Sequence, residues 1–180
     1  MVMNTEYEIR ILEIDKKAFI SKLEELGAKK VGEFFQKRFV YDFNPVDPNK
    51  WIRLRTNGKD TTLTIKEITK KNDIAGTKEL EVGVSDFQTT NKILNKLGYV
   101  ARNYQENKRV RYMLNNVEID IDTWPLIPTY VELEGKDIES VNNLVKMLQV
   151  NEDKITSLDV ASIYNEIYNI DILSIKKLEF

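Results

Sequence analysis

Glu6-Tyr7-Glu8-Ile9-Arg10-Ile11 alternates charged and apolar residues with a period of two. Successive side chains of a β-strand point to opposite faces, so this segment reads as a strand with Glu6, Glu8 and Arg10 on one side. The same pattern recurs down the chain: Arg53 and Arg55; Thr62, Thr64 and Lys66; Glu79 and Glu81; Arg109 and Arg111; Glu118, Asp120 and Asp122; Glu132 and Glu134. Opposite these sets run apolar rows: Ile52 and Leu54, Leu63 and Ile65, Leu80 and Val82, Val117, Ile119 and Ile121, Val131 and Leu133.

One strand of this kind is an ordinary antiparallel strand with a solvated outer face. Seven together are unlike a merely solvated surface, which would mix Thr, Ser, Gln and Lys. The bases come as Arg pairs and several strands present carboxylates only. Arg suits planar, multidentate recognition of phosphate, and adjacent carboxylates repel unless a cation joins them. The pattern therefore points to phosphate oxygens and hard metal ions as ligands. A sheet closed with its charged face inward would have a basic wall of Arg10, Arg53, Arg55, Lys66, Arg109 and Arg111. Its acidic wall would hold Glu6, Glu8, Glu79, Glu81, Glu118, Asp120, Glu132 and Glu134.

Outward from these strands, the periodicity switches repeatedly between two and about 3.6. It predicts strands over 5–13, 34–43, 50–56, 61–68, 77–84, 99–105, 108–114, 117–123 and 129–134. Helices are predicted over 16–26, 86–97, 137–148 and 156–169, the first capped by Asp15 and stopped by Gly27. Asn57-Gly58 and Asn115-Asn116 read as hairpin turns. Short turns between successive strands favour an antiparallel sheet and an α+β fold in one domain spanning 1–180. Val160, Ile163 and Ile167 are expected to form the packing face of the last helix. Phe34 and Phe35 are expected in the core, and Trp124 and Tyr130 are expected to pack at a barrel end, although either ring could stack on a substrate.

The 27 Lys and Arg nearly balance the 29 Asp and Glu, so any polyanion site is local and no field for nucleic acid or an anionic membrane is expected. The chain has neither Cys nor His, which excludes disulfides, thiolate or imidazole metal ligands, cysteine nucleophiles and a Ser-His-Asp triad. The N-terminal residues lack the apolar core of a signal peptide, and no stretch approaches the roughly 20 apolar residues that span a bilayer; the cytoplasm is the expected compartment.

Seven motifs, in order, resemble the CYTH superfamily of triphosphate tunnel metalloenzymes. They are Glu6-x-Glu8-x-Arg10, Trp51-x-Arg53-x-Arg55, Thr62-x-x-x-Lys66, Lys78-Glu79-x-Glu81, Lys108-Arg109-x-Arg111, Val117-Glu118-x-Asp120 and Tyr130-x-Glu132-x-Glu134. That superfamily includes class IV adenylyl cyclases, thiamine triphosphatases and inorganic triphosphatases. The resemblance implies an eight-stranded antiparallel closed barrel with helices outside, a requirement for Mg2+ or Mn2+, and a small-molecule triphosphate as substrate. It admits a homodimer.

By match to the family motifs, Arg10, Arg53, Arg55, Lys66, Arg109 and Arg111 would hold the triphosphate. Glu6, Glu8, Glu132 and Glu134 would bind metal, and Glu79, Glu81 and Glu118 would line the tunnel. Glu6, Glu8, Arg10, Lys66 and Asp120 form the expected catalytic set. Arg10 stands where the family usually has Lys. The expected activity is hydrolysis of an inorganic or organic triphosphate to diphosphate and phosphate. The alternatives are cyclisation of ATP to cyclic AMP and pyrophosphate, and a non-catalytic polyphosphate-binding module.

Overall fold

The computed structural model describes residues 3–180. Its strands are β1 (Asn4–Ile11), β2 (Lys29–Asp42), β3 (Lys50–Thr56), β4 (Thr61–Ile68), β5 (Thr77–Gly83), β6 (Asn103–Leu114), β7 (Val117–Thr123), β8 (Tyr130–Gly135), β9 (Ile155–Thr156) and β10 (Lys177–Leu178). The helices are α1 (Lys16–Glu25), α2 (Phe87–Lys96), α3 (Ile138–Leu148) and α4 (Val160–Ser162), the last running on as a π-helical segment, Ile163–Ile167.

Strands β6-β2-β3-β4-β5-β1-β8-β7 are hydrogen-bonded in that order and β7 pairs back to β6, which closes the sheet. Every contact around the ring is antiparallel. The result is a closed eight-stranded barrel with helices outside, as the motifs implied. Closure leaves no barrel edge unpaired.

The two faces of each strand decide which way the sheet curls. The apolar rows of β1, β7 and β8 turn outward and are covered by Phe19 and Leu23 of α1 and by Val141, Leu144 and Leu148 of α3. Leu94 of α2 packs on Tyr41, Ile52 and Leu54 over another part of the wall. Both α1 and α2 start on an aspartate whose carboxylate accepts backbone N–H bonds, Asp15 and Asp86 respectively. The apolar row of β5 is not covered: Leu80 and Val82 remain exposed.

Three expectations need correction. The predicted strands 99–105 and 108–114 are one strand, β6, paired along its length with β2. The residues at the expected break belong to the strand, and Asn107 among them faces a polar interior, fully buried and hydrogen-bonded to Arg38 and Asp122. The last predicted helix is instead the short strand β9 followed by α4 and its π turn. Ile163 and Tyr164 are consecutive and both fully buried, and Tyr164 Oη donates to the Pro125 carbonyl at 2.6 Å. The expected packing face of Val160, Ile163 and Ile167 is not kept: in the π-helical segment Ile167 is exposed. Phe35, too, lies at the surface, on the outer face of β2 at the ring of Phe180.

Candidate active site

The barrel interior is built from alternate residues of every strand, so its chemistry follows from register. Arg10 of β1 faces Glu132 of β8, which faces Asp120 of β7, which faces Arg111 of β6. One step along the strands, Glu8 faces Glu134, which faces Glu118. Across the barrel, Arg38 of β2 faces Arg55 of β3, and Arg53 faces Thr64 of β4.

Eight acidic or basic side chains of this interior are less than a tenth exposed: Glu6, Glu8, Arg10, Arg38, Lys66, Arg109, Asp120 and Asp122. Taking such ions out of water costs roughly several kcal/mol each unless they are paired. Most are paired. Arg10 donates to Glu8 at 2.9 Å, to Glu132 at 2.6 Å and to the Leu158 carbonyl at 2.9 Å. Lys66 reaches Glu6 at 2.8 Å and Glu79 at 3.4 Å. Arg109 is bidentate to Asp122 at 2.8 and 2.6 Å and also meets Asp120 at 2.5 Å. Arg111 spans Asp120 and Glu118, at 2.8 and 2.6 Å.

The pairing is uneven. Arg53 meets Glu79 and Glu81 only at 3.5 and 3.4 Å, and Arg55 meets Glu81 at 3.9 Å. Burial, then Arg53 and Arg109, push Arg55 down to about 10. On the opposite wall, Glu134 has no cation within ion-pair distance among the described residues. Burial, then Glu132 and Glu6, push it up to about 8. Glu118 is raised to about 7 by burial and by Asp120. Glu132 goes the other way: burial raises it, but Arg10 and Arg109 hold it well below the usual carboxylate range. The interior thus has an under-compensated basic wall on β2 and β3 and a crowded acidic wall on β1, β7 and β8.

A cavity of about 680 Å³ opens along the barrel. Of the sequence-predicted residues, Glu8, Arg10, Arg53, Arg55, Lys66, Arg109 and Glu132 line it. Arg111 instead borders a second cavity, of about 80 Å³, with Arg55 at its boundary to the first. Glu6, Glu79, Glu81, Glu118, Asp120 and Glu134 face inward but do not border the large cavity. Trp124 and Tyr130 are buried in a barrel-end cluster with Ile163 and Tyr164, as expected, and both also border the cavity.

Two interior residues escaped the sequence reading of the walls. Asp122 is fully buried and is the bidentate partner of Arg109; its place two residues after Asp120 was the available signal. Arg38 lacks a charged neighbour at i±2, because Gln36 and Val40 flank it on the same face, so no paired motif marked it.

The carboxylates suit a hard, oxygen-seeking divalent ion, and Glu134 is the one without a counter-charge. Among the described residues no three acids form a ready-made cage. Mg2+ is commonly held by one or two carboxylates together with substrate phosphates, which is compatible with a wall whose other carboxylates are engaged by Arg10 and Lys66.

Comparison with known proteins agrees with this architecture. Solved structures with the same fold include a conserved hypothetical protein from Pyrococcus furiosus, 24% identical, with a TM-score of 0.73 over 84% of this chain and 94% of that one. A candidate adenylate cyclase from Vibrio parahaemolyticus is 14% identical, with a TM-score of 0.74 over 93% and 99% of the two chains. A candidate adenylyl cyclase from Hippeastrum, described as having a dominant triphosphatase activity, is 16% identical, with a TM-score of 0.62 over 91% and 96%. No curated protein matches the sequence significantly. The model of the CYTH domain matches residues 4–159, all eight barrel strands with α1, α2 and α3, and the chain belongs to the CYTH domain family.

Proposed function

We propose that this chain is a Mg2+- or Mn2+-dependent triphosphatase that hydrolyses an inorganic or organic triphosphate to diphosphate and phosphate. Its single domain would span 1–180 and act in the cytoplasm on a small molecule, without nucleic acid or membrane. The observation that carries this reading is the uneven charge compensation inside one closed barrel. Cations without close counter-ions stand on β2 and β3, and carboxylates without enough cations stand on β1, β7 and β8. A triphosphate with a divalent ion supplies what each wall lacks.

In this reading Arg53, Arg55 and Lys66 bind and orient the phosphates, and Arg109 and Arg111 extend the basic wall while tied to Asp120 and Asp122. Glu134 and Glu8, with Glu6 and Glu132 beside them, would hold the metal. A bound divalent ion would supply charge neutralisation at the phosphate oxygens and Lewis-acid polarisation. Water adds to the terminal phosphorus as the phosphoanhydride bond breaks, and the diphosphate leaves with the electron pair. The proton released by water passes to a carboxylate that borders the cavity, where Glu8 and Glu132 stand. Arg10, with its fork on Glu8, Glu132 and Leu158, acts in this scheme by positioning the acids rather than as a direct phosphate contact.

A second reading, cyclisation of ATP, is favoured by one observation: the large cavity continues past the basic wall to Val40, Trp51, Ile68 and Ala161, which offers an apolar place for a nucleoside. The deciding assay presents inorganic triphosphate, thiamine triphosphate and ATP, each with Mg2+ and Mn2+, and scores phosphate, pyrophosphate and cyclic AMP. Phosphate release supports the first reading and cyclic AMP the second. Binding without turnover under every condition would reject both in favour of a binding module.

A further inference from the structure

Arg38 is the most poorly compensated charge in the barrel. It is 6% exposed, projects inward from the middle of β2 and lines the large cavity. Its neighbours of formal charge are mostly like itself: Arg55 lies directly opposite in the β2–β3 ladder, and Arg53 and Arg109 are close enough to disfavour its charged form. The only acceptors it meets among the described residues are neutral amide oxygens, Gln36 Oε1 at 3.0 Å and Asn107 Oδ1. Its Nε, like those of Arg10 and Arg53, is buried without a partner among the described residues. Beneath it lies the Trp124 ring, with the guanidinium carbon 4.5 Å from a ring centroid, and the indole N–H there is unpartnered as well.

A purely structural arginine in such a place would have a carboxylate. Every other buried Arg of the interior does: Arg10 has Glu8 and Glu132, and Arg109 has Asp122 and Asp120. Burying a charge this way is unfavourable, and groups left in such states concentrate where a ligand completes them. The stacking on Trp124 and the amide clamp from Gln36 and Asn107 hold the fork rigid, as a binding group requires.

We propose that Arg38 is a phosphate-binding residue which, with Arg55 across the ladder, forms an arginine pair that grips the polyphosphate. The inference rests on the triphosphate reading above and adds to it a residue that lies in none of the paired motifs. Arg109 and Arg111 are largely neutralised by Asp120 and Asp122, so the phosphate chain is held mainly on the β2–β3 wall.

The test is calorimetric titration of inorganic triphosphate, with metal chelated, into the wild type, Arg38→Gln, Arg38→Lys and Arg55→Ala, alongside the melting temperature of each protein without ligand. Glutamine is chosen because its amide still offers a donor to Asn107. Loss of a hydrogen bond between charged groups, about 1.5–3 kcal/mol, corresponds to about tenfold or more in affinity. Arg38→Gln should bind triphosphate at least tenfold more weakly while melting no lower than the wild type, since repulsion is relieved. Arg38→Lys, which keeps the charge but not the fork, should fall between.

Wild-type affinity in Arg38→Gln, with binding lost in Arg55→Ala, would overturn the assignment of Arg38 and leave the triphosphate site standing. Should Arg38→Gln melt lower or fail to fold, Arg38→Lys decides: weakened binding supports the assignment and wild-type affinity overturns it. A wild type that does not bind triphosphate at all removes the broader reading and this one with it.

Discussion

Glu8 and Glu134 stand directly opposite each other in the β1–β8 ladder, and Glu134 is opposite Glu118 in the β7–β8 ladder. Three carboxyl groups therefore lie side by side on the inner wall, an arrangement that is destabilising when all are charged. Glu8 leans on Arg10 and Glu118 on Arg111, which leaves Glu134 between them without a base. Burial, then Glu132 and Glu6, push Glu134 up to about 8, and burial and Asp120 push Glu118 up to about 7, so both hold protons when no cation is present.

Glu134→Gln should separate the two ways of relieving that row. Without metal the variant should melt close to the wild type at pH 6, where Glu134 is already protonated, and higher at pH 9; each 1 kcal/mol gained is worth about 2–4 °C in a domain of this size. Its affinity for Mg2+ in the presence of triphosphate should fall about tenfold or more. Calorimetry and thermal denaturation at the two pH values measure both effects. Equal metal affinity would remove Glu134 from the proposed metal set.

The wild type without metal should lose stability as pH rises from about 5 to about 8. Unfolded, these glutamates titrate near their ordinary 4.5, whereas native Glu134 holds its proton to about 8 and Glu118 to about 7. In that window the native state binds more protons than the unfolded one, so raising the pH favours unfolding, and the loss levels off above about 8. Burial also raises Glu6 and Glu8, in the same direction. Melting curves across pH 5–9 test this, and Mg2+ with triphosphate should flatten the slope.

Asp122→Asn keeps the shape of the side chain and removes the charge that Arg109 grips through two nitrogens. Breaking a buried pair by one partner leaves an uncompensated ion, and a loss of about 3 kcal/mol is expected, seen as a lower urea midpoint with an unchanged slope. A loss within experimental error would mean that Asp120 alone satisfies Arg109.

Gly76→Ala should be among the most damaging small substitutions. A Cβ there would lie 2.0 Å from the Lys70 carbonyl oxygen and 2.9 Å from that of Asp73, both backbone atoms that cannot swing away. The loop concerned also holds the site: the Ile74 carbonyl accepts the Glu8 backbone N–H at 3.0 Å. A cost of about 2 kcal/mol or more is expected. Gly83→Ala is the control, because its Cβ would meet no atom within 4 Å, and it should stay within about 0.5 kcal/mol of the wild type.

Much of this molecule was legible in its sequence because strand periodicity is a local property. The two faces of β1, β3, β4, β5, β7 and β8 follow from alternation alone, and the turns at Asn57-Gly58 and Asn115-Asn116 from their residues; that the charged face is the inner one came from the ordered set of motifs. The break wrongly placed in β6 shows the limit. A polar run normally marks a loop, but here it faces a polar interior, and only closure of the barrel makes that interior. The C-terminal segment fails for a similar reason: its packing into the barrel-end core and the pairing of Ile155–Thr156 with β1 are tertiary contacts that local periodicity does not report.

The sequence by itself determined which residues share a strand face, and through the ordered motifs the family. Charge partnership was decided only by the tertiary structure, because partners on neighbouring strands are set by register. That register puts Arg10 between Glu8 and Glu132, ties Arg109 to Asp122, and leaves Glu134 and Arg38 each without an opposite charge within ion-pair distance among the described residues. Alternation says which side chains share a face; only the ladder says what they meet there.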